Sequence, residues 1–172
     1  KLKELCWADK RLRVLRMSRN FGSFAAVAAG FNACTGDAAI CIPADLQDPP
    51  SLIPQLFNQW RDGVEIVWAA IDKRNDPFIS RFVSGCFYKL IRKIAFENLP
   101  LNGMNIGLFS RRVIDVYCAL PERDSIPIFT ILNLGFHQAE VPYVRATRIA
   151  GSSGWSFWRR VRSAIDIIVT FS

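Results

Sequence analysis

Three short segments carry the residue types that could do chemistry. In Pro43 to Pro50, PADLQDPP, the carboxylates Asp45 and Asp48 follow a short apolar run, Ala38 to Ile42. Carboxylates at the end of a buried strand can hold Mg²⁺ or Mn²⁺ against a diphosphate, because these hard ions take oxygen ligands and keep positions for phosphate oxygens. An Asp-Pro turn with a capping role uses the same residues without chemistry. In Arg145 to Trp155, RATRIAGSSGW, the side chains of Arg145, Arg148, Ser152 and Ser153 stand among glycines. Guanidinium groups bind phosphate oxygens bidentately, so this loop suits a phosphate, and a solvated basic loop is the alternative. Gly151 to Gly154 lacks the spacing of a hydrolase nucleophile elbow. The third segment, SRNFG from Ser18 to Gly22, offers backbone N–H groups and a flexible glycine to an anion, or simply turns the chain into a helix.

These loops need elements to hold them. Alternation predicts a short strand over Arg11 to Met17, and an Ala-rich helix follows over Phe24 to Cys34. Ala38 to Ile42 reads as a buried strand, Leu52 to Trp60 as a helix with Ser51 at its N-cap and Asp62-Gly63 at its end, and Val64 to Ile71 as the next strand. Helical spacing returns over Ile79 to Ala95, with Phe82, Cys86, Leu90 and Ile94 on one face; Asn102-Gly103 turns the chain into a strand over Met104 to Phe109. Ser110 can cap a helix running through Ala119. A helix over Ser125 to Leu134, a strand over Ala139 to Val144 and a last helix from about Ser156 complete the series. Such alternation predicts an α/β domain with a mainly parallel sheet, in which ligands sit beyond the carboxyl ends of the strands.

Composition narrows the class. In 172 residues, 51% are hydrophobic and 22% charged, which excludes a disordered or low-complexity chain and allows one domain with a real core. The net charge of +7 favours anionic partners. Five cysteines, an odd number without a C-x-x-C pair, read as reduced buried thiols of a cytosolic compartment. The single histidine, His137, excludes His-rich zinc sites. No stretch reaches the roughly 18 apolar residues of a membrane-spanning helix. KLKELCWADK has neither an initiator Met nor a signal-peptide pattern, and AIDIIVTFS stops within an apolar run, so the chain reads as a piece of something longer.

SRNFG followed by AAVAAGFNACTGD, then ADLQDPP, then VPYVRATRIAGSSGW, in this order and spacing, resembles the polyisoprenyl-phosphate glycosyltransferases of glycosyltransferase family 2 from about Leu12 to Trp158. That group includes dolichyl-phosphate mannose synthase and bacterial undecaprenyl-phosphate sugar transferases. The resemblance implies a GT-A, Rossmann-like fold over residues 1–154 and transfer of a sugar from a nucleotide-diphosphate donor to a polyprenyl phosphate at the cytoplasmic membrane face; residues 155–172 read, from their own aromatic, basic and apolar residues, as a C-terminal amphipathic interfacial helix. It implies that Asp45 and Gln47 belong to the acidic donor motif, with Asp45 on Mg²⁺ or Mn²⁺ and Asp48 beside it in catalysis. Arg148 and Ser153, with Arg145 and Asn20, would hold phosphate groups of donor or acceptor.

The chain departs from the family pattern at Pro43, where Asp is common, at Ser51, where Glu is usual, and at Asn105, which stands for an acidic residue. Asn serves neither as base nor as anionic ligand. The family's first strand and its nucleotide-contacting acidic residues would precede Lys1. An active branch of the family is favoured over a homologue that keeps the fold and has lost some chemistry. Trp155, Phe157 and Trp158 followed by Arg159, Arg160 and Arg162 suit an anionic headgroup layer. Self-association is compatible with this set of partners. A basic module contacting nucleic acid through Arg11, Arg13, Arg16 and Arg19 is the reading from another class; no RNA or DNA motif accompanies it.

Overall fold

The computed structural model describes residues 2–45, 47–74, 104–121 and 126–146. Helix α1 spans Leu2–Ala8, α2 Ser23–Ala33, α3 Ile53–Arg61, α4 Arg111–Ala119 and α5 Pro127–Leu132. The strands are β1 Ala38–Cys41, β2 Ile66–Arg74, β3 Met104–Ser110 and β4 Gln138–Arg145. Ser110 caps α4 as its type predicts, its Oγ accepting from the Val113 N–H at 3.4 Å. Asp62 and Gly63 end α3, and Gly63 sits at φ 95°, a left-handed conformation that costs glycine little.

The four strands lie in the order β1-β3-β2-β4. β3 runs antiparallel to both β1 and β2, and β2 runs parallel to β4. Three strands therefore share one direction and β3 alone opposes them, so the sheet is mixed where alternation pointed to a mainly parallel one. Strand direction depends on how the intervening chain returns, which local periodicity does not encode.

Alternation along the strands divides the apolar side chains between two faces. Ile66 and Trp68 of β2 and Phe109 of β3 join Phe31, Val113, Ile114, Ile131 and Leu132 beneath α2, α4 and α5. Val67, Ala69 and Ile71, with Ile106 and Leu108, join Leu52, Leu56, Val141 and Tyr143 beneath α3. The result is helix, sheet and helix in three layers. In the first core Trp68 meets Phe109 edge to face at 5.2 Å, and Phe109 meets Phe31 at 5.3 Å. Trp68 Nε1 donates to Gln138 Oε1 at 2.8 Å, and Gln138 Nε2 donates to the Leu132 carbonyl at 3.0 Å, so the buried indole N–H is satisfied. Gly107 makes room for this pair: a Cβ there would stand 2.4 Å from Phe109 Cζ and 3.0 Å from the Trp68 ring. Gly107→Ala is expected to lower stability by about 1–3 kcal/mol, read as a lower urea midpoint with an unchanged slope.

Several elements differ from their sequence pattern. Arg11 to Met17 forms no strand; Leu12, Val14 and Leu15 are exposed, and the segment leaves α1 through a turn in which the Leu12 N–H donates to the Asp9 carbonyl at 3.1 Å. A strand needs a neighbour for its backbone groups, and among the described residues none pairs with it. Ser51 does not cap α3. It lies inside a short 3₁₀ turn, Pro50–Leu52, and Leu52 stands at the N-cap without a side-chain hydrogen bond. Pro50 and Pro54 supply no N–H to be capped, which removes part of the need for a serine. The helix expected over Ser125 to Leu134 is the shorter α5, and α1 carries no pattern that marked it in advance. The four described cysteines, Cys6, Cys34, Cys41 and Cys118, are free thiols and only partly buried. His137 is exposed, and its carbonyl accepts from the Glu65 and Ile66 N–H groups. The helix expected over Ile79 to Ala95, the Asn102-Gly103 turn and the helix from Ser156 lie outside the described residues.

Candidate active site

The carboxyl ends of the three co-directional strands define one edge of the sheet. β1 and β4 are the outer strands of the described sheet, so the chain leaving β1 must cross the ends of β3 and β2 to reach β4. It does so: the Ala146 N–H donates to the Gln47 carbonyl at 3.0 Å, and Gln47 Nε2 donates to the Ala146 carbonyl at 3.3 Å. The Asp45 Oδ1 accepts from the Gln47 N–H at 3.2 Å, an Asx turn that shapes the loop. Two segments far apart in sequence are thereby stitched together across the strand ends.

Arg145, the last residue of β4, lies between both carboxylates. Its Nη2 stands 3.7 Å from Asp45 Oδ2 and its Nε 3.5 Å from Asp48 Oδ1. The surroundings differ: the Asp45 side chain is 30% exposed and that of Arg145 20%, whereas that of Asp48 is fully enclosed. The Tyr143 hydroxyl donates to Asp48 Oδ1. Asp48 Oδ2 is buried without a hydrogen-bond partner among the described residues. A buried carboxylate needs such neighbours, since desolvation of an unpaired charge costs several kcal/mol.

The structure thus brings together Asp45, Gln47, Asp48 and Arg145 of the residues that the sequence singles out. Asp48 is enclosed and meets Arg145 and Tyr143. Asn20 is exposed, and its Oδ1 accepts from the Gly22 N–H at 2.9 Å at the entry to α2. Arg148 and Ser153 lie outside the described residues, and so does the Asn105 side chain. Tyr143 was not among the candidates, although alternation along β4 places Val141, Tyr143 and Arg145 on one face and a buried phenol calls for a polar partner.

Among the described residues no three His, Cys, Asp or Glu side chains gather into a metal cluster. A single carboxylate is nevertheless enough for Mg²⁺, which commonly takes one or two from the protein and the rest from substrate phosphates and water. Asp45, partly exposed, fits that role; Asp48, with no exposed surface, does not. An open groove of about 450 Å³ lies between α1 and the segment after it, lined by Trp7, Leu12 and Val14 among others, and it holds none of these carboxylates.

Carboxylates and an arginine gather at the carboxyl ends of the co-directional strands of this α/β/α protein, the edge at which open α/β sheets bind their ligands. The chain belongs to glycosyl transferase family 2, whose model matches residues 1–118. It is 34% identical over 96% of its length to an uncharacterized glycosyltransferase of Synechocystis, covering 52% of that protein. It is 33% identical over 99% of its length to the uncharacterized glycosyltransferase YkcC of Bacillus subtilis, and covers 53% of it. A bactoprenol glucosyl transferase of Shigella phage SfX is 36% identical over 98% of the chain and is covered to 55%. The chain therefore spans about half the length of these curated relatives. The layered α/β fold agrees with the GT-A fold expected of the family.

Proposed function

We propose that this chain is the donor-handling part of a glycosyltransferase that moves a sugar from a nucleotide-diphosphate sugar to a polyprenyl phosphate at the cytoplasmic face of the membrane. The observation that carries the reading is the meeting of Asp45 and Arg145 over the strand ends, a carboxylate for a cation beside a guanidinium for phosphate. The likeness to a bactoprenol glucosyl transferase supports the lipid acceptor. In the reaction, an acceptor phosphate oxygen forms a bond to the anomeric carbon as the bond from that carbon to the diphosphate breaks, with inversion, and the nucleoside diphosphate leaves. The nucleophile is already anionic and needs no base. Negative charge grows on the leaving diphosphate, and the Arg145 guanidinium would meet it. A divalent cation, Mg²⁺ or Mn²⁺, held at Asp45 would supply further neutralisation of that charge.

No helix among the described residues is long and apolar enough to cross a membrane. The basic and aromatic residues from Trp155 to Arg162 support contact with an anionic leaflet. The whole protein is tested with labelled nucleotide sugars and undecaprenyl phosphate in vesicles, with Mg²⁺ or Mn²⁺. Label is expected in the lipid from one donor, dependent on the ion and faster on anionic than on neutral vesicles. A folded protein that transfers from no donor would point instead to a homologue that has lost the chemistry, with Pro43 and Asn105 as the first positions to restore.

A further inference from the structure

We infer that Tyr143 and Asp48 form a buried clamp that positions Arg145 for the diphosphate of the donor; this rests on the glycosyltransferase reading above. Arg145 presents two edges. Its Nε edge faces Asp48 Oδ1 at 3.5 Å, and its Nη2 faces Asp45 Oδ2 at 3.7 Å. The two carboxylates hold it differently. Asp48 is enclosed and is itself fixed by the Tyr143 hydroxyl and the inner face of β4, whereas Asp45 sits on a partly exposed loop. The inner contact therefore sets where the guanidinium stands, and the outer one is the contact that an incoming anion or cation can exchange. A cation held at Asp45 would draw on the carboxylate that Nη2 faces and leave that edge of Arg145 to phosphate oxygens, while the Nε edge keeps its contact with Asp48.

A fixed Nε edge also limits the rotamers that Arg145 must give up on binding, which is how a preorganised arginine gains affinity. Tyr143 and Asp48 are positioning residues in this scheme and touch no substrate. A salt bridge with purely structural work needs neither the exposed second carboxylate nor an arginine at the mouth of the strand ends. Here both are present, and Gln47 and Ala146 are stitched so as to keep them together.

The test uses the full-length protein and binding of uridine, guanosine and thymidine diphosphates with Mg²⁺, measured by calorimetry well below the melting temperature, beside donor kinetics. Tyr143→Phe removes one oxygen and no volume. It is expected to weaken binding of the preferred diphosphate by about tenfold and to raise the donor KM to a similar extent, with kcat changed less than about twofold. Arg145→Lys keeps the charge and loses the Nε edge, and is expected to cost about the same; the double variant should bind no worse than Arg145→Lys alone, because both act through one contact. Asp48→Asn gives the same reading should Tyr143→Phe not fold. Effects of Tyr143→Phe and Arg145→Lys that multiply, or a Tyr143→Phe that melts lower yet binds like the parent, would overturn the clamp and leave the transferase reading standing. A parent that binds none of the three diphosphates would overturn both.

Discussion

Asp45→Asn in the full-length protein is expected to lower sugar transfer by about 10²–10³-fold, the range found when one preorganised electrostatic group is removed from a reacting site. Its stability should stay within about 0.5 kcal/mol of the parent, because the position is partly exposed and the change is nearly isosteric. The Asn Oδ1 can still accept from the Gln47 N–H, so the Asx turn that carries the loop across the strand ends survives. Arg145 loses one of its carboxylates and keeps the buried one, so no enclosed charge is orphaned. What disappears is the negative charge that a divalent cation would need. The measurement is transfer rate against Mg²⁺ or Mn²⁺ concentration, with thermal melting alongside. A variant that transfers at the parental rate with the same metal dependence would remove Asp45 from the site.

The second large effect is structural. Trp68→Ala should destabilise the domain by about 3–5 kcal/mol, a substantial part of the 5–15 kcal/mol that folded domains typically hold. Trp68 is among the largest fully buried side chains and stands on the central strand β2, packed edge to face on Phe109. Truncation leaves a cavity between the sheet and its helices and also strands Gln138 Oε1, which accepts from the indole N–H. Trp68→Phe fills most of the space and should cost less, the remainder coming from the unpaired amide. Urea unfolding of both variants separates the two contributions, and equal midpoints for Trp68→Phe and the parent would show that the Gln138 hydrogen bond adds nothing. Because β2 pairs with β4 over Ile66 to Arg74, a loosened β2 should also weaken nucleotide binding at the far end of β4.

Much of this architecture could be read from neighbouring residues. Alternation of Ile66, Trp68 and of Val67, Ala69, Ile71 belongs to a strand with two buried faces, and both faces are indeed covered. Ser110 before an apolar-periodic run is a cap because a hydroxyl in that position meets an N–H three residues on, whatever surrounds it. The same local reasoning misplaced other elements. Leu12 and Val14 alternate like a strand, yet alternation supplies no neighbour to pair with, and the segment stays outside the sheet. Ser51 has the chemistry of a cap, and the prolines around it moved the start of the helix instead.

The site divides in the same way. Residue types and spacing alone marked the loop after β1 as an acidic one and the chain as a layered α/β protein of the family its motifs resemble, and the net charge of +7 favoured anionic partners. Only the tertiary structure decided that β3 runs against its neighbours, that Asp45 stays accessible while Asp48 is closed off, and that Tyr143 holds Asp48 beneath Arg145. The Gln47 and Ala146 partners stand 99 residues apart in sequence. Periodicity and capping act over a few residues, because they follow from backbone geometry. Contacts between Asp48, Tyr143 and Arg145 follow from the order of strands in the sheet and from which faces are covered, and those are properties of the whole packed chain.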